Sequence, residues 1–222
     1  MIGLQGLPQV ITAIGGLGAA AFGLVDVSKV FWGGVNHIGF RGIKAAVTAL
    51  TPVSQTGPPT SALSQKNILA TLQANWFNGT DLGSQKSIAK SLIKLNLNAG
   101  NAAALAAATG VDSTLLTAAA TKIAAGTPLD APASDAFARF DLIVTALLDE
   151  AYQRSDQVYR NSTRALAMVA AVALALIGGK IVNADIPTSL LVGILATPLA
   201  PVAKDLSTAL ATAVNTLQLV KK

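Results

Sequence analysis

Residues 133–177 read ASDAFARFDLIVTALLDEAYQRSDQVYRNSTRALAMVAAVALALI, a run without glycine or proline whose character changes partway along. The first part carries Arg139, Asp141, Asp149, Glu150, Arg154, Asp156, Arg160 and Arg164, whereas residues 165–179 hold no charge at all. With no breaker, the run predicts one helix of roughly 68 Å at ~1.5 Å per residue. A helix that passes from charged to wholly apolar sequence crosses a membrane surface most economically near Arg164. In the charged part, Phe137, Phe140, Val144, Leu147, Ala151 and Val158 make a near-heptad stripe that Leu148 and Tyr152 widen. Arg154 and Ser155 interrupt it, which argues against a sustained coiled coil. Ser134 is the expected N-cap.

Beyond this helix, residues 165–182 and 186–203 form two apolar runs joined by Asn183-Ala184-Asp185, the pattern of a membrane hairpin. Each run is near the lower limit of about 17 residues for a span. Pro187 suits the first turn of the second run, and Pro198 and Pro201 predict a kink or an end within it. Residues 204–222 read as an amphipathic helix with Leu206, Leu210, Val214, Leu217 and Val220 on one face.

Upstream, residues 2–25 carry no charge, and the helix is expected to run on through Asp26 and Lys29 toward Trp32. Gly15, Ala19 and Gly23 recur every fourth residue, a small-residue stripe of the kind that lets another helix approach closely. No Lys or Arg precedes the run, so a cleaved secretory leader is not expected. Phe31, Trp32 and Phe40 stand beside Lys29, Arg41 and Lys44, a combination favoured at a lipid headgroup boundary.

The expected organisation follows. Residues 1–50 are an N-terminal membrane helix with an interfacial segment, and 51–60 (TPVSQTGPPT) are a proline-rich linker. Residues 61–132 are a soluble domain of short helices capped by Ser64, Ser84 and Asp112 or Ser113. Residues 133–164 are the cytoplasmic part of the long helix, 165–203 a transmembrane hairpin, and 204–222 a C-terminal amphipathic helix. The fold class is all-α, an integral membrane protein with about three transmembrane helices.

Composition agrees with that class. Of the chain, 52% is hydrophobic and 12% charged, about half the charge of an ordinary soluble domain. There is no cysteine, which removes disulfides and thiolate chemistry. Net charge is +5, but aromatics are only 5% of residues, too sparse for a base-stacking surface, so nucleic acid is not an expected partner.

Catalytic equipment is thin. His37 is the single histidine and Glu150 the single glutamate. Asp149 and Glu150 diverge by about 100° on a helix and do not readily share a site. The sequence Gly16-Leu17-Gly18-Ala19-Ala20-Ala21 matches a variant of the dinucleotide fingerprint, but no βαβ unit or acidic ribose partner accompanies it. No cofactor, metal or small-molecule substrate is expected. Lys86, Lys90 and Lys94 line one face of a helix and, with Arg160 and Arg164, are candidates for contact with anionic lipid or a partner.

The charge flanks set a direction. Arg154, Arg160 and Arg164 precede the hairpin, Lys204, Lys221 and Lys222 follow it, and its tip holds only Lys180 and Asp185. The positive-inside bias then places the middle domain and C-terminus in the cytoplasm of a bacterial-type inner membrane. The function expected is that of a non-enzymatic structural or assembly subunit, a homo-oligomer or one part of a larger membrane complex. A homo-oligomeric channel and a soluble partner-binding helical protein are the alternatives.

Overall fold

The computed structural model describes residues 7–52 and 63–202, with side chains from residue 10 onward. Most of the proline-rich linker and the C-terminal amphipathic segment therefore lie outside the described residues. The elements are α1 (Leu7–Trp32), α2 (Gly34–Leu50), α3 (Gln65–Phe77), α4 (Leu82–Asn96), α5 (Ala102–Thr109), α6 (Ser113–Ala124), α7 (Ala131–Ile181) and α8 (Ile186–Val202). The fold is all-α, with no strand among the described residues.

Helix ends follow capping chemistry. Ser64, Asp81 and Asp112 each accept a hydrogen bond from the backbone N–H three residues on, at 3.3, 2.8 and 2.8 Å. Asp130 and Asp185 do the same for Ala133 and Thr188, at 3.2 and 3.1 Å. Two expected caps are thereby corrected. Ser84 and Ser134 lie inside helices, because an aspartate already stands in front of each, and its carboxylate is the better acceptor for exposed first-turn N–H groups. Gly33, Gly110 and Gly126 close α1, α5 and the end of α6 in the left-handed region, with φ of 67°, 68° and 64°.

The 51 residues of α7 exceed the expected run at both ends. Pro132 is tolerated in the first turn, where its missing N–H has no helical acceptor. At the other end the helix passes through Gly178 and Gly179. It closes when Ala184 N–H bonds back to Gly179 O at 2.8 Å around Asn183, whose φ is +57°. Pro198 does not end α8, which continues to Val202.

The chain divides into two units, residues 36–159 and residues 1–35 with 160–222. Residues 36–159 hold an ordinary apolar core in which Ile43, Leu50, Ile68, Leu72, Ile93, Leu105, Leu116, Phe140 and Tyr152 are fully buried. Each such side chain contributes about 1.5–3 kcal/mol on leaving water. The expected interfacial segment is corrected here. Phe40, Ile43, Val47 and Leu50 share one face of α2 and are buried in this core, so α2 belongs to the helical domain.

Small residues set the α2–α7 seam. A methyl group at Gly39 would lie 2.7 Å from Trp76 Cζ2 and 2.8 Å from Tyr159 Cβ, and one at Gly42 would lie 2.6 Å from Ser155 Oγ. Trp76 Nε1–H donates to Asn36 O at 3.0 Å, and its ring meets Tyr159 edge-on at 5.9 Å. The Gln65 carboxamide donates to Thr51 O at 2.6 Å and so satisfies a carbonyl just past the end of α2. In the α4–α5 turn, buried Asn101 accepts from Asn98 N–H at 2.8 Å and donates to Asn96 O at 2.7 Å.

Candidate functional site: an apolar surface over a small-residue interior

The unit containing α1, the last part of α7 and α8 inverts the usual size order of a core. Its interior is Ala21, Ala171 and Ala196, with Ile14, Leu17, Ala170 and Leu174 packed around them. Ala167, Ala175, Ser189 and Thr197 are buried as well. Helices touch where side chains are smallest. A methyl at Gly18 on α1 would collide with the carbonyl oxygen of Ala196 on α8. Another at Gly179 on α7 would collide with Ser189, and one at Gly193 on α8 would lie 2.5 Å from Val172 Cα.

Large apolar residues point outward instead. Trp32 is 78% exposed, Phe31 71%, Val169 66%, Ile177 62% and Leu191 58%. Leu24, Leu166, Met168, Ile181, Ile186, Leu190 and Ile194 are exposed too. Burying Ala while exposing Leu, Ile and Phe wastes the hydrophobic effect in water. In hydrocarbon that penalty vanishes, and helices associate through close backbone approach at small residues. The α1 and α7 candidate windows have mean hydropathies of 1.9 and 1.8, and only 22% of each is buried inside the structure. Both helices are long and apolar enough to cross a membrane, and α8 is a shorter apolar helix.

Within this chain the packed face of α1 coincides with the expected stripe only at Gly15. Gly15 is buried, but Ala19 and Gly23 are exposed, and a methyl at Gly23 would meet nothing within 4 Å. A strict four-residue repeat drifts about 40° per step around a 3.6-residue helix. The buried face therefore follows Ile14, Gly18, Ala21 and Val25, with spacings of four, three and four. On α8, Ala196 meets Gly18 of α1, while Ser189 and Gly193 lie against Gly179 and Val172 of α7.

The aromatic cluster is likewise split. Phe31 and Trp32 end α1 and are exposed, whereas Phe40 is 5% exposed inside the other unit. Arg160 and Arg164 are exposed on α7.

Lys86, Lys90 and Lys94, the expected lipid- or partner-facing stripe, are partly exposed and form ion pairs within the domain. Lys86 pairs with Asp149 at 2.5 Å, and Lys90 and Lys94 both reach Asp141, at 2.7 and 2.9 Å. Lys94 also lies 5.3 Å from the centre of the Phe137 ring. Burial pushes the Asp141 carboxyl up, but the hydrogen bonds and charges of Lys90 and Lys94 outweigh it and hold the group below its ordinary value. These pairs fasten α4 to α7.

His37 is exposed and meets the Phe77 ring edge-on at 4.8 Å. No group of three His, Cys, Asp or Glu among the described residues is placed to hold a metal ion. Glu150 and Arg154 stand on the wall of a groove of about 360 Å³ between α2, α5 and α7. No family model, curated protein or solved structure matches the chain.

Proposed function

We propose that the chain is a membrane-embedded, non-enzymatic assembly subunit. In this reading α1, the apolar end of α7 and α8 sit in the bilayer, and residues 36–159 form a helical domain displayed at its surface. The observation that carries it is the inverted size order of the first unit, whose interior is mainly alanine and glycine, with Val25 buried beside them, while Phe31, Trp32 and many leucine and isoleucine side chains lie outside. A helical backbone satisfies its own polar groups, which hydrocarbon demands. The arginines from 154 to 164 and the lysines at 204, 221 and 222 support a cytoplasmic side for both ends of the hairpin in this reading, by the positive-inside bias. The helical domain, whose core is filled by its own side chains, supplies the surface on which other copies or subunits assemble.

Alkaline carbonate extraction followed by flotation tests the reading. The protein is expected to stay with the floated vesicles, and release into the supernatant would overturn it. Sizing in mild detergent then tests the assembly role, for which a particle larger than one chain plus its micelle is expected.

A further inference from the structure

The groove between α2, α5 and α7 is open to the outside of the helical domain, and small side chains make up most of its lining, with Leu50 and Leu147 beside them. Gly42, Ala45 and Ala49 come from α2, Ala108 from α5 and Ala151 from α7. Walls made mostly of glycine and alanine admit a helix at short interaxial distance. Its only charged lining residues are Glu150 and Arg154, one helical turn apart on α7. Neither side chain has an ion-pair or hydrogen-bond partner among the described residues.

These features restrict the occupant. A lone negative and a lone positive charge on one helix face, four residues apart, do not suit a strongly acidic or basic partner, since either would meet one like charge. They suit a surface carrying the same two charges in reciprocal order. A two-fold axis supplies this, because in an isologous contact residue i meets j of the other copy while j meets i. The nearby lysines offer no competition, since Lys86, Lys90 and Lys94 are held by Asp149 and Asp141.

We infer that a second copy of this chain docks on the groove formed by α2, α5 and α7, with Glu150 of each copy paired to Arg154 of the other. The contact deepens the assembly reading above by naming one self-association surface, and it does not depend on the membrane placement. The two ion pairs set register and partner choice, and the alanine walls supply the close packing.

Charge reversal tests it on the full-length protein in mild detergent, with mass from light scattering and dissociation followed by dilution. Glu150→Arg alone and Arg154→Glu alone each bring like charges together twice across the two-fold, and each is expected to weaken the dimer about tenfold or more. The double variant Glu150→Arg/Arg154→Glu is expected to recover wild-type association. An equimolar mixture of the two single variants is expected to form heterodimers, detectable by a tag on one of them, because their reversed charges complement each other. Single variants that associate like wild type would overturn the proposal, as would a double variant or a mixture that stays dissociated. Helix content by circular dichroism shows that the variants fold, since both residues are at the surface. Carbonate extraction of the same variants separates this outcome from the membrane reading: a protein that stays in vesicles yet ignores the reversals leaves that reading intact and removes only this interface.

Discussion

Gly18 on α1 lies against the backbone carbonyl of Ala196 on α8 so closely that a single added methyl would overlap it. The obstacle is backbone rather than a movable side-chain tip, so Gly18→Ala is expected to destabilise the unit by about 1–3 kcal/mol, the usual cost of overpacking. Gly16, two residues earlier, has open space where its methyl would go. Gly16→Ala is therefore expected to gain about 0.5–1 kcal/mol from helix propensity alone. Thermal unfolding in detergent compares the two; equal effects would mean that α1 does not pack on α8 through Gly18.

Asp141 receives Lys90 and Lys94 from α4, and its exposure is 25% for the side chain. Asp141→Asn is expected to cost about 1–2 kcal/mol near neutral pH. The sign of the pH dependence follows from the lowered carboxyl. The folded state binds the proton less readily than the unfolded chain, so the stabilisation is complete above the ordinary value of 3.8 and is lost as pH falls below it through the folded value. Asp81 and Asp130, held low by Ser84 and Lys122, titrate in both proteins and cancel in the comparison. The gap between wild type and variant in denaturant midpoint should therefore close as pH drops below 3.8. A gap that persists unchanged in acid would assign the effect to packing.

Tyr152 is fully buried, and its hydroxyl has no hydrogen-bond partner among the described residues. Burial alone pushes this phenol up, so the ring is neutral at any working pH and the hydroxyl carries an uncompensated desolvation cost. Tyr152→Phe removes that cost while keeping the ring, and a gain of about 1–2 kcal/mol in unfolding free energy is expected. A loss of similar size would show that the hydroxyl is bonded to an enclosed water.

Helices and their ends were the most legible part of the chain, for local reasons. Ser64, the closing glycines and the breaker-free run act within one turn of themselves, and the apolar blocks declared α1, α7 and α8 by composition, whereas the caps Asp81 and Asp130 were hidden behind the nearby serines 84 and 134. What was hidden depended on angle and on distant partners. The run from Gly15 to Gly23 looked like a packing stripe because it counts in fours, whereas a buried face counts in fours and threes, and only Gly15 of the three is buried. The lysines of α4 looked free because their aspartates, 141 and 149, lie about fifty and sixty residues further on. Phe40 sat among basic residues and suggested a headgroup boundary, although the spacing of Phe40, Ile43, Val47 and Leu50 already described one buried helix face. The groove carrying Glu150 and Arg154 required three helices to meet, and nothing local announces such a meeting.

The absence of cysteine makes the proposed membrane arrangement directly testable, because any thiol introduced into this sequence is its only one. Asn183 lies in the connector between α7 and α8, while Ser87 and Gln157 are exposed on the helical domain. In the proposed orientation, which puts the basic flanks of the hairpin on the cytoplasmic side, Asn183→Cys would face the opposite aqueous compartment. In intact cells or right-side-out vesicles, a membrane-impermeant maleimide is expected to label Asn183→Cys and to leave Ser87→Cys and Gln157→Cys unlabelled until the membrane is permeabilised. Inverted vesicles should reverse the pattern. Labelling of all three from one side would place α7 and α8 on the membrane rather than through it, and the apolar surface would then belong to an interface with another protein or with lipid headgroups.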